Sequence, residues 1–172
     1  MSAGSTSQIG GVDAFSLSGT TSIDIGITGD GDDTIRGLDT GDSVHAMRGD
    51  DIIEISTTDF TLIDGYEGED TLLLDSSNTH LDLSDGTIIN MEVIDLTGSG
   101  NNSVTLTLQD VLDVTDEDNQ LIIDGNAGDS VSSTSEGWTQ GVDQNIGDET
   151  YHSYTSGRGI LLIDDDITQA IS

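Results

Sequence analysis

The 172-residue chain contains no cysteine, no proline and no lysine, and only 3% of its residues are aromatic. The absence of cysteine excludes a disulfide framework and any metal site built on thiolates. With so few aromatic rings, the core is expected to consist of Ile, Leu and Val. No apolar run approaches the length of a membrane span, so membrane insertion is not expected.

Positive charge is also nearly missing. Three arginines face 34 Asp and Glu residues, which gives a formal charge of -31. Such acidity excludes nucleic-acid binding through phosphates and argues against binding to anionic membranes. Clustered acids such as Asp30, Asp32 and Asp33 need a counterion. Because basic side chains are so scarce, a metal ion is the expected one.

High net charge with few aromatic residues is also typical of disordered chains. Against disorder, the chain has no block of five like charges, and its apolar residues come in β-type bursts such as TLLL, VTLTL and LIID. We therefore expect a folded ion-bound state and partial unfolding when the ion is removed.

A short unit of glycine, acid and β-forming residue recurs along the first half. Gly31, Gly49 and Gly68 open the copies GDDTI, GDDII and GEDTL, and these glycines are separated by 18 and then 19 residues. Apolar residues recur every nine or ten positions, at Ile35, Val44, Ile53, Leu62 and Leu72. One such unit cannot bury its apolar residue alone. The spacing therefore predicts a parallel β-coil whose stacked turns share an inner apolar ladder.

Stacked turns would bring Asp33, Asp51 and Asp70 together at one edge of the coil. Oxygen ligands along a flexible edge suit Ca²⁺, whereas Mg²⁺ requires a stricter octahedron and Zn²⁺ prefers His or Cys. A second loop rich in Asp and Gly follows the apolar run LII in the second half. The candidate ligands for several calcium ions are Asp30, Asp32, Asp33, Asp50, Asp51, Glu69 and Asp70 in the repeats, and Asp124, Asn126 and Asp129 in the second loop.

The stretch TGDGDDTIR, at residues 28–36, resembles the calcium-binding nonapeptide G-G-x-G-x-D-x-U-x of repeats-in-toxin (RTX) proteins. The second half is similar to segments near the carboxyl end of very large bacterial RTX adhesins. The similar segments are NMEVIDLTGSGNNSVTLTLQDVLDVTDEDNQLIIDGNAGDSV, GWTQG, YHSYTSG and ILLIDDDI. The resemblance covers about residues 29–167. It implies export by type I secretion, calcium-dependent folding outside the cell, and flanking adhesin domains at the bacterial surface.

Adhesins of this kind carry ligand-binding modules near their distal end, and one of these modules binds short peptides with the help of calcium. The resemblance therefore implies a peptide or a cell-surface protein as the partner. Trp138, Tyr151 and Tyr154 surround the stretch GVDQNIGDE, and Arg158 is the one basic residue of this region. These four residues are the candidate ligand pocket. The alternative is a hairpin that packs over the end of a sheet.

The fold class predicted from these patterns is all-β, in a single domain that is monomeric in isolation. Residues 1–12 are expected to be a linker or disordered, and residues 13–90 a calcium-bound β-roll or β-solenoid. Residues 91–172 are expected to form a β-sandwich-like half. The one stretch with a helical period is LQDVLDV, at residues 108–114. Whether the turns form a regular coil or strands shared between two sheets stays open at this point.

Three functions are compatible with these features. The first is a calcium-dependent ligand-binding module of an adhesin, and the second is a non-binding spacer or folding domain that calcium rigidifies. The third is an ice-binding solenoid, which requires the same Thr or Asn on every turn. Thr34 and Thr71 fit such a column, but Ser43 and Ile52 interrupt it. Motifs of hydrolases, zinc proteases and phosphate-binding loops are absent, so no enzymatic activity is expected.

Overall fold

The computed structural model describes residues 6–8, 14–17, 24–116 and 118–172. The first strands are β1 (Thr6–Gln8), β2 (Phe15–Ser16), β3 (Ile25–Ile27), β4 (Thr34–Arg36), β5 (Ser43–His45), β6 (Ile52–Ile55), β7 (Leu62–Asp64), β8 (Thr71–Leu74), β9 (His80–Asp82) and β10 (Ile88–Ile89). They are followed by β11 (Val93–Asp95), β12 (Ser103–Thr105), helix α1 (Leu108–Val114), β13 (Gln120–Asp124), β14 (Ser130–Ser133), β15 (Thr139–Gln140), β16 (Gln144–Ile146), β17 (Glu149–Ser156), β18 (Gly159–Asp164) and β19 (Thr168–Ile171). The predicted all-β class is confirmed. No helix in the described part of the chain has the length and apolarity of a membrane span.

The first half is a coil that alternates between two parallel sheets. One sheet contains β2, β4, β6 and β8, and the other contains β1, β3, β5 and β7. Thr34 pairs with Ile52 and Ile52 with Thr71, so each turn has the length predicted from the glycine spacing. β1 lies in the segment expected to be a linker and pairs with β3. The rest of residues 1–12 lies outside the described residues.

The second half does not form the expected β-sandwich-like unit. β11, β13 and β18 extend the sheet of β8 with parallel pairing, and β9, β12, β14 and β19 form a third parallel sheet. The physical reason is that Ile94, Ile123 and Ile163 continue the inner ladder of the first half. Parallel stacking therefore buries these side chains without a separate pair of facing sheets.

The core of the coil includes three inner apolar columns. The longest joins Ile35, Ile53, Leu72, Ile94, Ile123 and Ile163 on successive paired strands, all fully buried. Val44, Ile63 and Ile88 form the second column, and Leu81, Val104 and Val131 form the third. The prediction for Leu62 was wrong by one residue. Ile63 pairs with Val44 inside the coil because this turn contains 19 residues rather than 18, and Leu62 is only partly buried.

The helix and the hairpin complete the second half. α1 is the predicted helix, and its first turn is fixed by a reciprocal cap in which Thr107 and Asp110 exchange hydrogen bonds between side chain and backbone. It follows β12 and packs against β10, β13 and β18. β15 and β16 both pair with β17 in antiparallel orientation, and β17 pairs with β18 in the same way. The long sheet therefore ends in an antiparallel extension at the carboxyl end of the chain.

Candidate metal centre and ligand cavity

Four acids at one corner of the coil are linked by hydrogen bonds between successive turns. They are Asp33, Asp51, Asp70 and Glu92, each just before β4, β6, β8 or β11, and we call them the carboxylate column. The N–H of Asp33 donates to Oδ1 of Asp51 at 2.7 Å, and the N–H of Asp51 donates to Oδ1 of Asp70 at 2.9 Å. The N–H of Asp70 donates to Oε2 of Glu92 at 2.9 Å. The predicted meeting of Asp33, Asp51 and Asp70 is confirmed.

The second carboxylate oxygen of each column aspartate is buried and has no hydrogen-bond partner. These atoms are Oδ2 of Asp33, Asp51 and Asp70, in side chains that are at most 4% exposed. The ion pairs of the described residues lie elsewhere, between Arg36 and Glu54, Arg48 and Glu67 or Asp30, and His45 and Asp64. A buried carboxylate without a partner is strongly unfavourable. The column therefore requires a proton or a cation.

The pKa values of the column aspartates also indicate that a proton or a cation is needed there. Burial raises the pKa of Asp51 to about 6, and the nearby carboxylates, Asp33 first among them, add to the rise. Burial also raises the pKa of Asp70 to about 7, with smaller contributions from Asp51 and Glu92. The backbone N–H that each carboxylate accepts acts in the opposite direction but does not outweigh desolvation. Without a cation, Asp51 and Asp70 stay protonated up to pH values well above those at which an aspartate ordinarily ionises.

Glycine is required where the corner loops stack. A Cβ on Gly68 would lie 1.9 Å from the carbonyl oxygen of Gly49, and a Cβ on Gly49 would lie 2.4 Å from the carbonyl carbon of Gly31. Gly49 also has a φ of 127°, a conformation that other residues rarely adopt. The repeated glycines therefore allow the backbone of each corner to approach the next corner closely.

The other acids predicted in the repeats lie on the outside of this corner. Asp32, Asp50 and Glu69 are exposed, and each of the first two accepts the backbone N–H of the next member, at 3.0 and 2.9 Å. Asp30 is exposed and lies 4.0 Å from Arg48. These four side chains are near the column in sequence but do not share its buried environment.

A second column of polar residues stands where the chain passes into the third sheet. It consists of Thr79, Asn102 and Asp129, before β9, β12 and β14, and we call it the amide column. Oδ1 of Asn102 accepts the N–H of Thr79 at 3.0 Å, and its Nδ2 donates to the carbonyl of Leu96 at 3.3 Å. Both oxygens of Asp129 accept backbone N–H groups, from Asn102 at 2.7 Å and from Asn126 at 2.8 Å. This column satisfies its own polar atoms.

The residues of the carboxylate column fit a calcium ion in the chemistry of their donors. Within the described ranges, no three Asp, Glu, His or Cys side chains converge so as to hold a metal ion by themselves. An ion at the column would therefore need ligands besides these side chains, and Ca²⁺ accepts both carboxylate and backbone carbonyl oxygens. The three predicted ligands Asp124, Asn126 and Asp129 lie at a different corner, where Asp124 ends β13 and the other two are in the loop before β14.

Asp124 lines a surface cavity of about 320 Å³ beside the hairpin. The lining residues of this hairpin cavity are Thr97, Asp124, Gly125, Asn126, Glu149, Tyr151, Asp164 and Asp166. The Tyr151 hydroxyl donates to the Asp124 carboxylate. Burial raises the pKa of Asp124, and the charges of Asp95 and Asp164 raise it further against the effect of this hydrogen bond. The cavity is therefore acidic and has a tyrosine as its one aromatic wall.

The four predicted ligand residues do not all line the hairpin cavity. Trp138 is buried, and its Nε1 donates to Oγ of Ser133 at 2.7 Å. The Tyr154 hydroxyl donates to Gln169 at 2.9 Å, and its ring packs against the core. Arg158 lies in the exposed turn between β17 and β18. Of the four, only Tyr151 lines the hairpin cavity.

Glu92, Asp95 and Asp164 belong to these sites but are not among the candidate ligands predicted from the sequence. Glu92 closes the carboxylate column, and the signal was its place directly before Val93, equivalent to Asp70 before Thr71. Asp95 pairs with Asp124, and Asp164 follows Ile163, which pairs with Ile123. The recurring endings VID, IID and LID of three buried strands were a readable signal for this row of acids.

Comparison of the chain with protein-family models, with curated proteins and with solved structures finds no match.

Proposed function

We propose that this chain is a calcium-dependent ligand-binding module of a bacterial surface adhesin, which works outside the cell beside flanking domains. The observation that carries the proposal is the set of three buried carboxylate oxygens without partners on Asp33, Asp51 and Asp70. Calcium would neutralise these charges at the corner where the turns stack. Extracellular modules bind Ca²⁺ with dissociation constants of about 10⁻⁴–10⁻³ M, so such sites fill outside cells and stay empty in the cytosol.

The hairpin cavity supports the ligand-binding part of the proposal. Its volume of about 320 Å³ is within the range of small ligand sites, and its wall combines one tyrosine with several oxygen acceptors. A peptide would enter this acidic wall in one of two ways. A cationic side chain would contact the carboxylates directly, or a calcium ion would bridge them to a carboxylate of the peptide.

Peptide binding in calcium and in chelator tests this proposal. We expect saturable, calcium-dependent binding from a peptide array, weakened by Asp166→Asn in the cavity and unchanged by Asp165→Asn, an exposed neighbour outside it. Peptides that bind are then compared with a free and with an amidated carboxyl end. A preference for the free carboxyl supports the calcium bridge, and equal affinity supports direct contact. Absence of saturable binding from the whole array contradicts the ligand-binding function.

The second candidate is a spacer or folding domain that calcium rigidifies but that binds no ligand. The observation in its favour is that Trp138 and Tyr154 place their polar atoms on partners inside the coil. These rings therefore pack against the carboxyl end of the coil rather than against a ligand. A chain whose stability depends on calcium and which binds no peptide would be this spacer.

A further inference from the structure

Two bulky residues of the coil adopt a left-handed backbone conformation. They are Met47, with a φ of 81°, and Tyr66, with a φ of 75°. The other described residues with positive φ are glycines, three asparagines and one serine, all of which tolerate this region better. Strain of this kind persists where the surrounding structure imposes it, and it is concentrated at functional sites.

The register of the turns shows that these two positions are equivalent. Asp30 pairs with Arg48, and Arg48 pairs with Glu67. The residues directly before them are therefore equivalent, and they are Gly29, Met47 and Tyr66. Gly29 does not have a positive φ, so the left-handed conformation at this position occurs only on the two turns that carry a large side chain there. Local backbone preference does not explain this choice.

The large side chains line a second surface cavity, of about 290 Å³. Its lining residues are Asp30, Met47, Arg48, Tyr66 and Glu67, and we call it the Tyr66 cavity. Tyr66 is 46% exposed, and its ring lies 5.9 Å from the ring of His45, at an angle of 59°. The tyrosine therefore has a neighbouring ring on one side and remains accessible to a ligand.

Charged groups form a row beside the two apolar side chains. Nε of Arg48 lies 2.9 Å from Oε2 of Glu67, and its NH1 lies 4.0 Å from Oδ2 of Asp30. The guanidinium is thus held between two carboxylates on neighbouring turns. Guanidinium and carboxylate groups present paired donors and paired acceptors in fixed planes. The cavity combines an apolar wall with a row of planar hydrogen-bonding groups.

We infer that the Tyr66 cavity binds a neutral saccharide ring, independently of the proposed peptide site. A sugar ring has a C–H face that packs on an aromatic ring and hydroxyl groups that bond to paired donors and acceptors. A chain with a net charge of -31 repels anionic ligands. The guanidinium of Arg48 already pairs with the carboxylates of Glu67 and Asp30, so the place that a cationic ligand would take in the row is occupied. The Tyr66 cavity and the hairpin cavity share no lining residue.

Substitution by glycine separates a binding role of Tyr66 from a packing role. Tyr66→Gly removes the ring and also relieves the left-handed strain. We expect this variant to keep or raise the melting temperature in calcium and to lose saccharide binding. Tyr66→Phe retains the aromatic face and should bind. Ser135→Gly, which relieves a φ of 67° away from the cavity, is the matched control and should bind like the parent chain.

The readout is an NMR titration of the calcium-loaded chain with the methyl glycosides of glucose, galactose, mannose and N-acetylglucosamine. We expect at least one glycoside to cause saturable shifts at the amides of His45, Arg48 and Glu67, and these shifts to be absent in Tyr66→Gly. Absence of saturable shifts for all four glycosides in the parent chain overturns the inference. Retained binding by Tyr66→Gly, or a clear fall of its melting temperature, overturns it as well, because the ring would then serve the coil alone.

Discussion

Asp51 shows at the scale of one side chain how charge distinguishes the two polar columns. Its Oδ1 accepts the N–H of Asp33, and its Oδ2 is buried without a partner. Asn102 stands at the equivalent place in the amide column and bonds through both ends of its amide. An amide can therefore make the hydrogen bonds that this position requires. Hydrogen bonding alone does not explain why residue 51 carries a charge.

Asp51→Asn should stabilise the chain when calcium is removed. The variant keeps an oxygen for the N–H of Asp33 and removes a buried charge whose pKa is raised to about 6. We expect the free energy of unfolding in chelator near pH 7.5 to increase by on the order of 2 kcal/mol. Urea unfolding measures this change, and the stabilisation by added calcium should shrink.

The matched control for this variant is Asp50→Asn, which makes the same chemical change at the exposed neighbouring position. It should alter the free energy of unfolding in chelator by less than about 0.5 kcal/mol. The opposite outcome is that Asp51→Asn destabilises the metal-free chain as strongly as a core truncation does. In that case the carboxylate of Asp51 stabilises the metal-free fold, and its charge is not a cost that calcium relieves.

The pH dependence of the metal-free chain follows from Asp51 and Asp70. Their pKa values are raised from 3.8 to about 6 and about 7, so the folded state binds protons that the unfolded state has released. The resulting stabilisation is complete below about pH 4 and is lost as the pH rises through 6 and 7. We expect the melting temperature in chelator to fall between about pH 5 and pH 7.5.

Calcium should reverse this trend, because protons and calcium compete for the same oxygens. Thermal melts across the pH series, with chelator and with calcium, measure both branches. A melting temperature in chelator that rises with pH over this range would contradict the raised pKa values of the column.

At the scale of the strand, β6 contains a matched pair of isoleucines. Ile53 is fully buried in the inner column, whereas Ile52 is 40% exposed on the outer face. Ile53→Ala should lower the free energy of unfolding in calcium by about 2–5 kcal/mol, since it leaves a cavity between neighbouring turns. Ile52→Ala should change it by less than about 0.5 kcal/mol. Urea unfolding of the two variants checks the register, and equal losses would contradict it.

The elements of the first half were predictable because one physical period repeats in the sequence. The glycine spacing and the apolar ladder gave the parallel strands, the corner loops and the meeting of Asp33, Asp51 and Asp70. The one-residue shift at Ile63 was not predictable, since a turn of 19 residues has two places for the additional residue.

The second half was harder to predict because its turns differ in length and content. The bond between Asp70 and Glu92 spans 22 residues, and the bond between Asn102 and Asp129 spans 27. The longer turns contain helix α1 and, further on, the hairpin of β15, β16 and β17. Because of these insertions, equivalent residues are no longer separated by a constant number of positions in the sequence. The inner apolar ladder nevertheless continues in the structure.

At the scale of the whole molecule, the described residues include a column with unpartnered oxygens, the carboxylate column, and a column whose polar atoms are satisfied, the amide column. The carboxylate column lies just before β4, β6, β8 and β11, and its three aspartates precede the first three of these strands, whereas the amide column lies just before β9, β12 and β14. Removal of calcium should therefore open the first group of strands more than the second.

Hydrogen exchange in calcium and in chelator measures this asymmetry. We expect amides of β4, β6 and β8 to lose more protection than amides of β12 and β14. In Asp51→Asn the difference between the two groups should shrink. An equal loss of protection in both groups, or a larger loss at β12 and β14, would contradict the assignment of the cation to the carboxylate column.

The most direct test of a calcium-dependent coil is the melting temperature of the unmodified chain in chelator, in calcium and in magnesium. Ions that bind only the folded state at about a hundred times their dissociation constant add about 2.7 kcal/mol per site, which is large beside a total stability of about 5–15 kcal/mol. We predict that millimolar calcium raises the melting temperature by well over 10 °C relative to chelator and that equal magnesium raises it far less. A melting temperature that is the same in chelator and in calcium would show that calcium does not stabilise the coil.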